Sequence, residues 1–149
     1  MYDAPTGEWS FAPDFPSGAG GLVSTLDDVY AFGRMLLAGG RLADGSHLIS
    51  RASVEAMTTD QIGAGPGVPG PSPDGSQGWG FGVGVQVRRT GFGPTVGSYG
   101  WAGGLGTSWG NDPREGVIGV VLTTDAFTRA FPPPAVIQDF WTCVYAALD

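Results

Sequence analysis

The most direct chemical reading in this sequence belongs to Gly106-Thr-Ser108-Trp-Gly110, spaced as Gly-x-Ser-x-Gly. A serine in that setting is a nucleophile when it stands on a sharp strand-to-helix turn and an acid and a histidine follow it. Here Ser108 lies within a strand pattern, a turn signal Asn111-Asp-Pro113 comes next, and His47, the only histidine, precedes it. The spacing is therefore expected to carry no chemistry. Gly65-Pro-Gly67-Val-Pro-Gly70 has the Gly-x-Gly-x-x-Gly spacing of a phosphate cradle, but such a loop must open a helix. No helical period follows it. His47 beside Asp44 and Ser46 reads as a solvated turn, and Asp27-Asp28 as acids at a helix N-terminus. One His and one Cys do not make a zinc site, so no metal or other cofactor is expected. What remains is Trp101-Ala-Gly-Gly104, on a predicted strand.

The elements that must position these residues follow from periodicity. Residues 1–23 are rich in Pro, Gly and aromatics and read as loop. Ser24 or Thr25 can cap a helix whose stripe is Leu26, Val29, Tyr30, Leu36 and Leu37, widened by Phe32 and Met35. Gly39-Gly40 stops it. Asp44-Gly45 is a turn pair, and a short helix is predicted from about Ser50 to Thr58. Residues 60–77 hold Gly and Pro with almost no large apolar side chain and read as a long loop.

From Trp79 the period becomes two. Trp79, Phe81, Val83, Val85 and Val87 share one face of a predicted strand, and glycines occupy the other, so a backbone or ring can approach closely. Further strands are expected over about Ser98–Gly103, Leu105–Asn111 and Gly116–Thr124, with Asn111–Gly116 as the last turn. Pro132-Pro-Pro134 marks a boundary. After it Ile137, Phe140, Trp141, Val144 and Leu148 predict a C-terminal helix lying across an antiparallel sheet. The order of elements is that of an α+β fold in one domain, residues 1–149.

Composition bounds the function. A net charge of −7, with Arg88-Arg89 the one basic pair, repels phosphate backbones and excludes nucleic-acid binding. No apolar run reaches the roughly 20 residues of a membrane span. Met1-Tyr-Asp-Ala-Pro5 lacks the form of a signal peptide, so the sequence as written predicts a cytoplasmic location. Cys143 sits in an apolar stretch and is expected to be a buried, inert thiol. Glycine supplies 27 of 149 residues, against about 7% in average proteins, so it must serve turns and close contacts.

Tyr99-Gly-Trp-Ala-Gly-Gly-Leu-Gly-Thr-Ser108 resembles the third active-site motif of the serine β-lactamase-related family, which includes class C β-lactamases, penicillin-binding DD-peptidases and esterases. Gly21–Asp28, with Phe32 and Met35–Gly40, resembles the helix downstream of that family's second motif. The likeness runs from about residue 8 to the end. It implies the C-terminal portion of a β-lactamase/transpeptidase-like fold and a substrate that is an ester, an amide or a β-lactam-like small molecule. By the same resemblance Trp101 takes the lysine or histidine place of the third motif, and Ala102 and Gly103 complete the substrate-binding triplet. The Gly104 N–H becomes one of two oxyanion-hole donors. Tryptophan at position 101 departs from the lysine that holds a carboxylate, which favours an ester or amide over a β-lactam. The family's Ser-x-x-Lys is absent because the chain has no lysine, and Tyr2, Tyr30, Tyr99 and Tyr145 all fail the spacing of Tyr-x-Asn. The resemblance therefore implies a C-terminal fragment, inactive alone, whose partner would be the missing N-terminal part. The alternative is a non-catalytic ligand- or partner-binding module, or one half of a split enzyme.

Overall fold

The computed structural model describes residues 4–18, 20–63, 65, 67–127 and 133–148. Among the described residues three α-helices, a short 3-10 helix (Glu8–Ser10) within the stretch expected to be loop, and a five-stranded antiparallel sheet form an α+β architecture. Strands β1 (Gln77–Trp79), β2 (Gly84–Gln86), β3 (Tyr99–Gly103), β4 (Thr107–Asp112) and β5 (Val117–Leu122) lie side by side in chain order. Short loops suffice for such a meander.

Helix α1 (Leu26–Leu37) begins where Thr25 Oγ1 accepts the Asp28 N–H at 3.2 Å, so Thr25 is the cap rather than Ser24. Its end is set by two glycines at positive φ. Gly40 N–H reaches the Met35 carbonyl at 2.9 Å and Gly39 N–H the Leu36 carbonyl at 3.0 Å, which satisfies carbonyls that helix geometry leaves open. Gly33 faces the sheet, against Trp109, Asn111 and Ile118. Of the predicted stripe only Met35 and Leu36 are fully buried, while Leu26, Tyr30 and Phe32 remain 44–49% exposed. The physical reason is that α1 meets β4 and β5 around Gly33, so that side chains flanking that contact are covered on one side alone: Phe32 meets the Trp109 ring, centroids 5.5 Å apart, and Tyr30 lies under the Arg34 guanidinium. Helix α2 (Arg51–Met57) starts at Ser50, which caps the Ser53 N–H at 3.0 Å, and buries Val54. Met35, Leu36, Val54, Val83, Val85 and Tyr99 form the core between these helices and the sheet, with Ile49, Met57 and Trp109 at its border.

The expected strand from Trp79 to Val87 is instead a hairpin. Gly80 N–H bonds the Val83 carbonyl at 2.8 Å and Gly82 takes φ 85°, so the chain reverses between β1 and β2. Phe81 consequently points outward, 61% exposed, while Val83 and Val85 stay in the core. Alternating glycines suited the turn as well as the pleat.

The other sheet face carries α3 (Ala135–Ala146), which buries Ile137 and Tyr145. Gly110 and Gly119 are register partners on β4 and β5, and the Trp141 ring rests on this bare pair. A Cβ on Gly110 would lie 3.0 Å from the ring. Leu148 is exposed beyond the helix end. Cys143 is exposed as well, correcting the expected burial: the inward positions of α3 are Ile137, Trp141 and Tyr145, and residue 143 falls between successive inward turns. Pro66 and Pro132, noted in the sequence, lie outside the described residues. Among the described residues no helix is long and apolar enough to cross a membrane.

Candidate functional site

Strand β3 is held from one side along its whole length. Its register with β4 runs from Tyr99↔Asn111 to Gly103↔Thr107. On the other side its pairing with β2 stops at Gly84↔Gly100. The Ser98 carbonyl accepts the Gln86 N–H at 2.8 Å and so faces β2. By the alternation of an antiparallel strand, the amide and carbonyl of Ala102 face the same way. Past Gly100 no described strand meets them. Beyond Gly100 this edge is open.

The turn that follows is fixed by the chain after β5. Gly106 takes φ 91°, its N–H bonds the Gly103 carbonyl at 3.1 Å, and its own carbonyl accepts from Thr123 N at 3.1 Å and Thr123 Oγ1 at 2.7 Å. The Phe127 N–H holds the Gly104 carbonyl at 2.7 Å. Gly104 is exposed, and among the described residues no acceptor takes its N–H. Among the described residues, this backbone donor is thus held by its turn and left without an acceptor.

Trp101 is 48% exposed and meets Trp79 edge to face, with ring centroids 4.7 Å apart. Trp101, Ala102 and Gly104 line a cavity of about 640 Å3 that extends between the sheet and α3, past Ile137, Trp141 and Tyr145. Its size is within the usual range for small-molecule sites, roughly 300–1,000 Å3. Gly103 is half-buried and does not line it. Three of the four residues singled out from sequence therefore share one concavity.

The other sequence groupings do other work, although Ser108 is the register partner of Ala102 and lines the same cavity. Ser108 is 4% exposed, and its Oγ accepts the Trp141 indole N–H at 3.4 Å. It sits inside β4 with a strand after it, so it is a packing residue. His47 is exposed and bridges Arg41 at the base of a turn, whereas Asp44 bonds Ser46 N at 2.9 Å and Ser46 Oγ at 2.6 Å. Those bonds from Ser46 lower the Asp44 pKa. Among the described residues no group of His, Cys, Asp and Glu could hold a metal ion. Residues 67–76 contain turns and bends but no helix, so the glycine-rich loop cradles nothing helical.

Sequence reasoning missed a buried polar cluster beside the cavity. The Asp112 carboxylate, fully inaccessible, accepts from Thr95 N at 3.0 Å, Thr95 Oγ1 at 2.7 Å and the Tyr145 hydroxyl at 2.7 Å. Burial alone would raise its pKa, but the bonds from Tyr145 and Thr95 outweigh that and hold it at about 2. Burial, then the Asp112 hydrogen bond and charge, push the Tyr145 hydroxyl well above its usual range. The only local hint was Asp112-Pro113, which reads equally well as a turn.

The profile of the family described as Beta-lactamase matches residues 1–138. Two proteins of Mycobacterium tuberculosis, Protein Rv1367c and Uncharacterized protein MT1414, are each 37% identical to this chain over 123 residues. The matched region is 71% of this chain and 28% of either relative, so the chain spans well under half the length of the curated relatives it matches. With the antiparallel sheet, the helices on its two faces and the Tyr99–Ser108 motif on β3, the family match establishes that this chain belongs to the serine β-lactamase-related family.

Proposed function

We propose that this chain is the C-terminal part of a serine hydrolase that cleaves esters or amides through an acyl-serine, and that it supplies one wall of the site but not the nucleophile. The observation that carries this reading is the Gly104 N–H, fixed by its turn, without an acceptor among the described residues, and at the end of the β3 edge that pairs with no described strand. In the complete site a serine Oγ attacks the substrate carbonyl carbon and the carbonyl oxygen takes up negative charge. Gly104 N–H donates to that oxygen, and the N–H of the attacking serine is the second donor. One such donor contributes about 3–4 kcal/mol to the transition state. Trp101, Ala102 and Gly103 form the edge along which the substrate lies. Trp101 carries no positive charge, so the edge does not attract a substrate carboxylate as lysine would.

The chain cannot complete this reaction by itself, because it has no lysine to deprotonate a serine. The purified chain should show no steady turnover of nitrophenyl esters and no covalent mass increase with a mechanism-based acylating probe. Steady turnover through an acylated serine of this chain overturns the reading.

A second reading, a non-catalytic binding module or one half of a split enzyme, is favoured by the apolar surface at the front of α1. Leu22 and Val23 are 88% and 73% exposed, next to the half-exposed Leu26, Tyr30 and Phe32. Co-purification with a co-expressed chain that carries Ser-x-x-Lys distinguishes a split enzyme from a self-sufficient module, which would stay monomeric.

A further inference from the structure

The loop over residues 60–77 does not hang free. Asp60 Oδ1 accepts the Trp79 N–H and the Ile62 N–H, both at 3.1 Å, and the Gln61 N–H bonds the Trp79 carbonyl at 2.8 Å. At its far end Ser72 Oγ accepts the Gln77 N–H at 2.9 Å. Both ends are thus tied to β1, and the tie brings Ile62, Gly70 and Pro71 against Trp79 and Trp101 around a second, shallow and open apolar depression of about 320 Å3. All five lining residues are apolar or glycine. Trp101 and Pro71 also line the larger cavity, so the two spaces adjoin at these side chains.

From this arrangement, and resting on the hydrolase reading above, we propose that Ile62, Pro71, Trp79 and Trp101 form a subsite for the uncharged, saturated acyl chain of an ester. The distance suits that role. Trp101 precedes Gly104 by three residues, so an acyl chain whose carbonyl oxygen meets the Gly104 N–H has about 10 Å of strand edge to follow before it reaches the indole. A short acyl group stops before the subsite; a medium-length chain enters it. The lining offers no cation, and the Arg88 guanidinium pairs with Asp74 at 3.2 Å. A carboxylate laid against this apolar surface would lose part of its water without gaining a partner, whereas each methylene buried is favourable. Ile62 and Pro71 therefore set acyl-chain specificity by supplying two of the four apolar side chains.

Binding needs no nucleophile, so the chain itself can be tested. Methyl octanoate, methyl nonanoate and methyl decanoate, whose chains are long enough to follow the strand edge as far as the indole, are titrated into the 15N-labelled chain while the indole N–H signals are followed. Monomethyl suberate, whose far end is a carboxylate, is the charged comparison. The expected result is perturbation of the Trp79 and Trp101 signals, with affinity rising about fourfold per added methylene and monomethyl suberate binding weakest for its length. Ile62→Asp, at a side chain already 40% exposed, should abolish the chain-length dependence while leaving the circular dichroism spectrum unchanged. Shifts confined to the other tryptophans, affinity independent of length, or equal binding of monomethyl suberate and methyl octanoate overturn the subsite. These outcomes are separable from failure of the hydrolase reading, which is judged by acylation of a serine.

Discussion

The Tyr145 hydroxyl donates to the buried Asp112 carboxylate across 2.7 Å, joining the last turn of α3 to the end of β4. Thr95 holds the same carboxylate from the loop before β3. One buried charge thus ties together three segments distant in sequence, all of which border the larger cavity. Removing one partner of such a group costs more than an ordinary surface hydrogen bond, because the charge stays buried with fewer donors. Tyr145→Phe should therefore lower stability by about 1.5–3 kcal/mol in urea denaturation, while Arg51→Ala, which breaks an exposed helical ion pair with Glu55, should change it by under about 0.5 kcal/mol.

The same pair makes stability depend on pH at both extremes. The Asp112 pKa, about 2 in the folded chain, lies below the roughly 3.9 of an unfolded aspartate. Its contribution is therefore complete above pH 4 and is lost as pH falls from about 4 to 2. Tyr145 is shifted the other way: its contribution is complete below the unfolded tyrosine value of about 10 and declines as pH rises beyond it. Thermal melts should show a plateau near neutrality and a steep fall below pH 4. Asp112→Asn should lower the plateau and flatten the acid limb; an acid limb of unchanged slope in that variant would assign the effect to other carboxylates.

The bare pair Gly110 and Gly119 predicts an overpacking effect. A Cβ on Gly119 would overlap the edge of the Trp141 indole and come within 3.1 Å of the Phe140 ring. Gly119→Ala should cost about 1–3 kcal/mol despite alanine's better backbone entropy. It should also weaken the near-ultraviolet circular dichroism of Trp141 as α3 lifts from the sheet. Restoration by a second change, Trp141→Leu, would confirm that the ring is the obstacle.

Gly33 poses two opposing effects within α1. Alanine is the better helix former by about 1 kcal/mol. Yet a Cβ there would stand 2.9 Å from both Trp109 Nε1 and Asn111 Oδ1, two buried polar atoms with no hydrogen-bond partner among the described residues. Displacing Asn111 also endangers its bonds to the Gly33 carbonyl at 2.8 Å and the Tyr99 hydroxyl at 3.1 Å. Packing wins, so Gly33→Ala should be net destabilising by about 1–2 kcal/mol, read as a lower urea midpoint at unchanged slope.

The three strands β3, β4 and β5 and all three helices were legible because each is specified by its own residues: caps at Thr25 and Ser50, a period of two around Trp101 and Trp109, prolines before α3. The hairpin at Gly80–Val83 was not legible, since alternate glycines serve a pleat and a reversal equally well until Met57 is seen receiving the Phe81 N–H at 3.0 Å. Nor does an apolar stripe state whether a neighbour covers it, as the exposed Tyr30 and Phe32 demonstrate. At the site, the Trp101–Gly104 segment could be singled out because its motif is contiguous. Thr95, Asp112 and Tyr145, separated by 17 and 33 positions, leave no local pattern, and Ile62 reaches Trp101 only through the bonds of Asp60 to β1.

The proposed role of the Gly104 N–H can be tested without disturbing the fold. Proline lacks that N–H, and the group has no acceptor among the described residues, so its removal breaks no internal hydrogen bond. Proline also favours an extended residue before it, and Gly103 is the last residue of β3. Gly104→Pro should therefore leave the melting temperature of this chain within a few degrees of the parent. In the enzyme reconstituted with a Ser-x-x-Lys-bearing partner, the same change should lower kcat by about 10²–10³-fold, the loss associated with one oxyanion donor. KM should move little, because the donor acts on charge that appears only in the transition state. Trp101→Ala should do the reverse for long-chain esters, raising KM with a smaller effect on kcat. If Gly104→Pro retains full kcat in the reconstituted enzyme, the oxyanion donor is another group and the assignment of this edge fails.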